Sequence, residues 1–295
     1  MSSGILVVDK PSGWTSHQVV ARCRRLLGTR KVGHAGTLDP MATGVLVIGV
    51  GRGTRLLGHL ALTGKSYRAT IRLGQATNTD DADGEVTTSH GARRVTEDAI
   101  EAAMAPLRGD IVQIPSTVSA IKVDGRRAYA LARAGADVQL KARPVTVGRF
   151  EVVARRASDV DGLPVIDLDV EVDCSSGTYI RALARDLGNT LGTGGHLTAL
   201  RRTRVGAFTL DGALPPDELT AEPPRPPELT ALGSVARAHF ACQELDDDQA
   251  RDVRHGRALG VRLSADPTAM LHDEQLLALY RPDGDRAVPV AVLVS

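Results

Sequence analysis

GHAGTLDPMATG, residues 33–44, is the stretch on which the reading of this chain turns. Gly33, Gly36, Gly44 and Pro40 bracket a single carboxylate, Asp39. Residues of these types make a tightly turned polar loop. It opens into Thr43–Val50, an apolar, β-branched run that reads as a strand or as the start of a tightly packed helix. Pro40 removes a backbone donor and fixes the chain just after the carboxylate. Asp39 is one of two acidic residues among the first 72, against 11 basic ones, and such surroundings predict a lowered pKa. A carboxylate on a rigid loop serves as nucleophile or general base. Equally, Asp-Pro is a turn signal and Asp39 caps the segment after it. His34 is either a titrating residue of the loop or a structural one.

Outward from this loop the chain alternates strands and helices without a regular βαβ rhythm, which predicts an α+β fold. Ile5–Val8 is a short apolar run that stops at a turn cluster. Ser16 is placed to cap a helix through Val19, Val20, Cys23 and Leu26, with Arg22, Arg24 and Arg25 on its other face. Ser66–Leu73 alternates as a strand does. Glu97–Ala105 reads as a helix capped by Thr96 and ended by Pro106. Val145–Val153 and Val165–Asp173 read as strands, and Thr178–Leu191 as a helix. Six of the fifteen prolines fall between Pro215 and Pro227, so residues 211–230 read as a spacer that resists helix and central strand. After it come a short helical stretch and two strands, Leu276–Tyr280 and Val288–Val294. The domain reading is therefore a body over 1–210, a Pro-rich linker over 211–230 and a small β-rich module over 231–295.

The net charge of +1 hides an asymmetry. Residues 1–210 hold 28 basic and 20 acidic side chains, and residues 211–295 hold 8 and 15. A basic body suggests a polyanionic partner. Arg outnumbers Lys 31 to 5, which a GC-rich genome would also produce. Aromatic residues are only 3%, too few for a single-strand binder built on stacking platforms. The longest uncharged apolar run, Pro40–Gly51, is too short to span a bilayer. The first residues carry no signal-peptide pattern. Three well-separated cysteines show neither a disulfide framework nor metal spacing, so a reduced, cytoplasmic protein is expected.

Other motifs weaken on inspection. Gly49-x-Gly51-x-Gly53 has the wrong spacing for a dinucleotide fingerprint and reads as a turn. Gly64-Lys65-Ser66 ends like a phosphate-binding loop, but His59 stands where its first glycine belongs. Asp80-Asp81-Ala82-Asp83-Gly84-Glu85 fails as a calcium loop, since Thr79 and His90 fall at its first and twelfth positions. That segment reads as a solvated turn, or as one that positions the neighbouring loop. No metal and no nucleotide cofactor are expected.

Six separated segments nevertheless agree with one pattern: LVVDKPSGWTS (Leu6–Ser16), GHAGTLDPMATGVL (Gly33–Leu46), GKSYRATIRLGQATNTDDADGE (Gly64–Glu85), IPSTVSAIKVDGRRAYALARAG (Ile114–Gly135), CSSGTYIRALARDLG (Cys174–Gly188) and LRRTRVGAF (Leu200–Phe208). In order and spacing the chain resembles the TruB family of tRNA pseudouridine synthases over most of residues 4–210. The resemblance implies a catalytic domain with a mixed, largely antiparallel central sheet and a small PUA-like module behind it. It implies a tRNA partner, recognised at the T arm, whose uridine at position 55 is flipped and isomerised. It makes Asp39 the catalytic residue, Tyr67 the ring on the uracil with a part in proton removal, and Arg181 the partner of Asp39. His34 is expected to enter the RNA where the base leaves, and Leu200 to shape the pocket. Lys10 joins them in the substrate-binding set as half of a Lys-Pro pair that supports the site structurally.

The chemistry suits these residues. The C1′–N1 bond breaks and C1′–C5 forms, with no redox change and no energy source. A carboxylate can add to C1′, add to uracil C6, or remove a sugar proton. Arg22, Arg24, Arg25, Arg30, Lys31, Arg201, Arg202 and Arg204 are candidates for phosphate contact. The loops near Asn78–Glu85 and Asp124–Gly135 are expected to order on RNA. A monomer is expected. The rival reading is a non-catalytic RNA-binding or tRNA-folding protein on the same scaffold. A synthase for another RNA is a further alternative. A two-carboxylate glycoside hydrolase is disfavoured, because Asp39 has no evident acid partner.

Overall fold

The computed structural model describes residues 3–116, 122–123, 126–127, 140–223 and 225–294. Most of the Asp124–Gly135 loop, and with it much of the Ile114–Gly135 segment, lies outside the described residues.

The strands of the body are β1 (Gly4–Lys10), β2 (Val32–Ala35), β3 (Thr43–Val50), β4 (Lys65–Leu73), β5 (Gln75–Thr77), β6 (Val86–Ser89), β7 (Gly109–Gln113), the short pair β8 (Lys122–Val123) and β9 (Arg126–Arg127), β10 (Arg143–Val160), β11 (Leu163–Cys174) and β12 (Gly195–Val205). Its helices are α1 (Ser16–Leu26), α2 (Leu57–Ala61), α3 (Glu97–Met104) and α4 (Ile180–Thr190). One sheet runs β1-β3-β12-β4-β11-β10-β7, with β2 also paired to β3. Its pairings are antiparallel except where β12 meets β3 in parallel, Arg201 opposite Thr43 and Arg202 opposite Gly44. This is the mixed, largely antiparallel sheet of an α+β fold. Thr43–Val50 resolves as strand: β-branched residues buried on both faces suit a central strand better than a helix.

The alternation in β4 sends Tyr67, Ala69 and Ile71 inward, where they meet Leu183, Ala184 and Leu187 of α4 and Ile100 and Met104 of α3. Truncating a buried leucine such as Leu187 to Ala costs about 2–5 kcal/mol. Thr96 caps α3, its hydroxyl accepting from the Ala99 N–H. At α1 the cap is Thr15 rather than Ser16. Thr15 and Gln18 form a reciprocal capping box. Ser16 instead ties the helix to the Asp39 loop. Its hydroxyl donates to the Leu38 carbonyl at 3.2 Å and accepts from the Leu38 N–H at 3.0 Å. The expected strand Val145–Val153 runs on to Val160, because β11 pairs with it beyond the point where its own apolar alternation stops.

Residues 211–230 do not behave as a spacer. Leu214 and Thr230, near the two ends of the stretch, pair with β1, whose outer edge would otherwise be open. Leu214 N–H donates to Val7 O, and Asp9 N–H to Leu214 O. Ile5 and Thr230 exchange two backbone bonds of 3.0 and 2.8 Å. Prolines cannot donate, but Leu214 and Thr230, which flank the proline-bearing stretch, can. Pro216 at a first-turn position even starts a short helix, α5 (Pro216–Thr220), whose Leu219 is buried against α1. Arg22, expected on a phosphate-facing surface, is the latch: it donates to Leu219 O and Ala221 O and pairs with Glu222 at 2.8 Å.

The module after this strap holds α6 (Leu232–His239), α7 (Asp247–Arg254) and the sheet β13 (Ala241–Glu244), β14 (Thr268–His272), β15 (Gln275–Asp283), β16 (Arg286–Val292) in that order. Its Val235, Leu271, Leu276 and Leu279 share one apolar core with Ile5, Val45, Leu56 and Val205 of the body. The acidic run Asp246–Asp248 is a helix start. Asp246 makes a capping box with Gln249, and Asp247 and Asp248 fill the first turn, where the helix dipole favours them. Among the described residues, no helix is long and apolar enough to cross a membrane.

Candidate active site

The loop from Gly36 to Ala42 hangs between β2 and β3 and is fastened from several sides. Lys10, wholly buried at the end of β1, donates to the carbonyls of Pro11, Trp14 and Pro40 at 2.9, 2.5 and 3.2 Å. Gly13 N–H also donates to Pro40 O, and Ala42 N–H closes the turn onto Asp39 O. The turn signal in Asp-Pro is thus met by main chain, and the Asp39 side chain points elsewhere. Burial pulls the Lys10 ammonium down to about 8, with the charge of Asp39 acting against that.

Arg181 comes from α4 on the far side of the cleft. The helix start is fixed by Gln113 of β7, whose amide accepts from Tyr179 N–H at 2.8 Å and donates to Tyr179 O at 3.0 Å. Arg181 Nε lies 3.0 Å from Asp39 Oδ2, and Nη1 lies 3.1 Å from Asp81 Oδ2 and 2.9 Å from Thr79 O. One guanidinium, 4% exposed, therefore bridges two carboxylates. Asp81 is 3% exposed, and its other oxygen accepts from the Thr79 hydroxyl and the Asp83 N–H. The acidic turn is accordingly not solvated at its centre: it supports the cleft. The motif was legible in sequence, but a run of four acids reads as surface, and only the long-range partner Arg181 shows otherwise.

Asp39 keeps 35% of its side chain exposed, toward a cavity of about 330 Å³. The cavity is lined by Asp39, Tyr67, Arg181, Leu200, Lys65 and Arg202, with the Ser176–Thr178 turn at its rim. The lowered pKa expected for Asp39 is reversed. Its pKa is raised, first by burial, with Asp81 and Asp83 adding to the effect and Arg181 and Lys10 opposing it. The nearby basic groups were visible in sequence; the desolvation that outweighs them was not. Tyr67, almost fully buried on β4, also has a raised pKa through burial, partly offset by Arg202.

The fold thus brings Asp39, Tyr67, Arg181 and Leu200 to one cavity. His34 stands apart from its lining. It belongs to strand β2 rather than to the loop, opposite Ile48, half-buried, with its ring edge-on to His17 at 5.5 Å. Lys10 lies beneath the loop and reaches main-chain carbonyls, so its enclosed ammonium is a fastener, not a group presented to RNA. Sequence reasoning met Asp81 only within a turn read as solvated or as positioning the neighbouring loop, met Lys65 only in a rejected phosphate-binding motif, and placed Arg202 among phosphate contacts. Lys65 is buried, donates to Ala61 O and Thr63 O at 2.8 and 2.9 Å, and is pulled down to about 8 by burial first and Arg202 next. Arg202 is 1% exposed and donates to Val45 O and Gly36 O.

The fold of this chain has counterparts among solved structures. One, described as an H/ACA RNP bound to a substrate RNA containing 2′-deoxyuridine, contains a chain 25% identical to this one, with a TM-score of 0.70 over 99% of this chain and 85% of that one. Another, a Cbf5-Nop10-Gar1 complex, gives 26% identity and a TM-score of 0.70 over the same shares. The family model described as TruB family pseudouridylate synthase (N terminal domain) matches residues 24–180. The tRNA pseudouridylate synthase B C-terminal domain matches 181–222, and the tRNA Pseudouridine synthase II C-terminal model matches 240–294. The class is that of the pseudouridylate synthases, and within it this chain belongs to the TruB family. Curated relatives named tRNA pseudouridine synthase B include those of Nocardia farcinica, 58% identical over 98% of this chain and 93% of the relative, and of Mycobacteroides abscessus, 57% identical over 99% and 96%.

Proposed function

We propose that this protein isomerises uridine to pseudouridine in tRNA, at position 55 of the T arm, with Asp39 as the catalytic carboxylate. The observation that carries the reading is the Asp39–Arg181 pair, 3.0 Å apart, opening on a cavity walled by Tyr67 and Leu200. A stacked uridine cannot reach Asp39, so the base is flipped at a cost of about a few kcal/mol. The Tyr67 ring offers its face to the flipped uracil, Leu200 closes the pocket, and His34 fills the place the base vacates. Arg181 holds one Asp39 oxygen by a charge-assisted bond and leaves the other for the nucleotide. The carboxylate then drives rupture of C1′–N1 by addition to C1′, addition to C6, or removal of a sugar proton. The base turns, C5 bonds to C1′, the C5 proton passes to solvent with Tyr67 assisting its removal, and N1 takes up a proton from solvent, so that atoms balance and the carboxylate is released unchanged. Affinity comes from exposed cations along the body, Arg24, Arg25 and Arg30 among them, and selectivity from the folded shape and splayed bases of the T arm.

In this reading residues 1–210 perform the chemistry, 211–230 strap the body, and 231–295 form a PUA-like module that contacts a limited part of the tRNA. The protein works as a cytoplasmic monomer. The test is tritium release from a tRNA transcript labelled at uridine C5, for wild type and Asp39→Asn, both shown to fold and to bind. Release by wild type alone, mapped to position 55, supports the reading. Binding without release by wild type overturns it in favour of a non-catalytic RNA-binding role.

A further inference from the structure

Arg202 has a place in the site that its sequence context, a run of basic residues, conceals. It stands directly across from Tyr67 in the β4–β12 ladder, and both side chains line the cavity. Its guanidinium is buried and, among the described residues, faces no carboxylate within ion-pair distance. Its donors instead go to main chain on either side of Asp39, at Gly36 and at Val45. Nη2 donates to Gly36 O at 2.9 Å, and Nε donates to Val45 O at 2.8 Å. Its backbone completes the closure. Gly44, at φ +100°, packs so closely on the Arg202 carbonyl that an added Cβ would stand 2.1 Å from that oxygen. A charge so deeply buried is costly unless its donors are engaged. Here the cost is offset by two carbonyls that flank Asp39, Gly36 O where its loop begins and Val45 O in β3 beyond its end.

We infer that Arg202 is a positioning residue for the isomerisation: its guanidinium ties the start of the Asp39 loop, at Gly36, to the strand that follows it, at Val45, and sets that loop against the Tyr67 ring. The inference rests on the function proposed above. The planar fork is what the geometry requires, since its separate nitrogens reach Gly36 O and Val45 O together. A lysine ammonium gathers its donors at one point on a flexible stem and does not reproduce this placement of two separate nitrogens. The guanidinium also stands beside the Tyr67 hydroxyl, across the strand pair that sets the two residues opposite each other. Loss of the clamp leaves the cavity and its chemistry intact but lets the carboxylate and the ring drift relative to each other. A misplacement of about 1 Å can cost on the order of 100-fold in rate.

The experiment compares Arg202→Lys and Arg202→Gln with wild type in the full chain. Single-turnover tritium release is measured at saturating enzyme, and tRNA affinity by filter retention. The Tyr67 ring is followed by fluorine NMR after uniform 3-fluorotyrosine labelling, its resonance assigned with Tyr67→Phe. The expected result is a folded Arg202→Lys whose single-turnover rate falls about 100-fold, with affinity within about threefold. The Tyr67 resonance moves, and that of Tyr280, remote in the C-terminal module, does not. A folded variant with wild-type rate, an unmoved Tyr67 resonance, or a rate loss matched by equal loss of affinity overturns the inference. Unfolding of both variants also overturns it, by assigning Arg202 to stability alone. Wild-type inactivity would instead defeat the functional reading, so the two failures are distinct.

Discussion

The Asp39 loop and the acidic start of α7 are both short charged stretches, and they use charge in opposite ways. Around the loop, Lys10, Arg181 and Arg202 are buried and direct their donors to carbonyls and to carboxylates brought from distant elements. At α7, Asp246 satisfies its own helix, and Asp247 and Asp248 face solvent. The first arrangement fixes a geometry; the second starts a helix and keeps a surface wet. Charge near a functional loop is therefore informative only once its burial is known.

Substitutions sharpen this contrast in descending order. Asp39→Asn keeps shape and removes the carboxylate, so tritium release is expected to fall at least about 10³-fold with binding retained. Retained activity would break the comparison at its centre. Lys10→Met removes the ammonium from the Pro11 and Trp14 carbonyls and leaves Pro40 O with the Gly13 N–H alone. It is expected to lower stability by about 2–3 kcal/mol in urea unfolding and to slow the reaction. In wild type, a Lys10 held near 8 binds its proton less readily folded than unfolded. Its contribution to stability therefore grows as pH rises from about 8 toward the ordinary lysine value, and Lys10→Met abolishes that part of the pH dependence.

Asp83→Asn acts more gently. Asp83 is exposed, and its charge raises the pKa of Asp39. The acid limb of the wild-type rate is expected above the ordinary carboxylate range, and the substitution moves it to lower pH. Because its pKa is raised, Asp39 binds its proton more tightly in the folded state than in the unfolded one, so its protonation does not destabilise the fold. Loss of rate on that limb is consequently not loss of structure, which circular dichroism across the same range checks. Asp246→Ala removes a helix cap and is expected to cost about 1 kcal/mol, with activity unchanged. A large loss of activity there would show that the two regions are coupled.

Much of this is legible in the sequence. The alternation of Ser66–Leu73 marks β4 and the inward face of Tyr67, Thr96 marks the start of α3, and the glycine-bracketed loop draws attention to Asp39. The pairing of Asp39 with Arg181 comes from the family resemblance, not from spacing. What stays hidden depends on partners far along the chain. Arg22 looks like a surface cation until residues 219–222 are seen against it. Asp81 looks solvated until Arg181 is placed beside it. The acidity of Asp39 escapes the sequence because neighbouring charge is written there and desolvation is not. The Pro-rich stretch looks like a spacer because composition shows what proline cannot do, not what the flanking Leu214 and Thr230 still can.

β12 separates two strands, β3 and β4, that follow each other in the chain. The first part of the protein to leave the ribosome can pair β1 with β3 and close β2 on it, but the gap beside β3 waits for residues 195–205. Insertion of a late strand between two early ones is a non-local step, and such steps are slow. Until it happens, Asp39 has neither its clamp from Arg202 nor its neighbour Leu200. A chain that has not yet supplied residues 195–205 lacks one wall of the cavity. The site is thus completed by the strand of its sheet that comes last in the sequence.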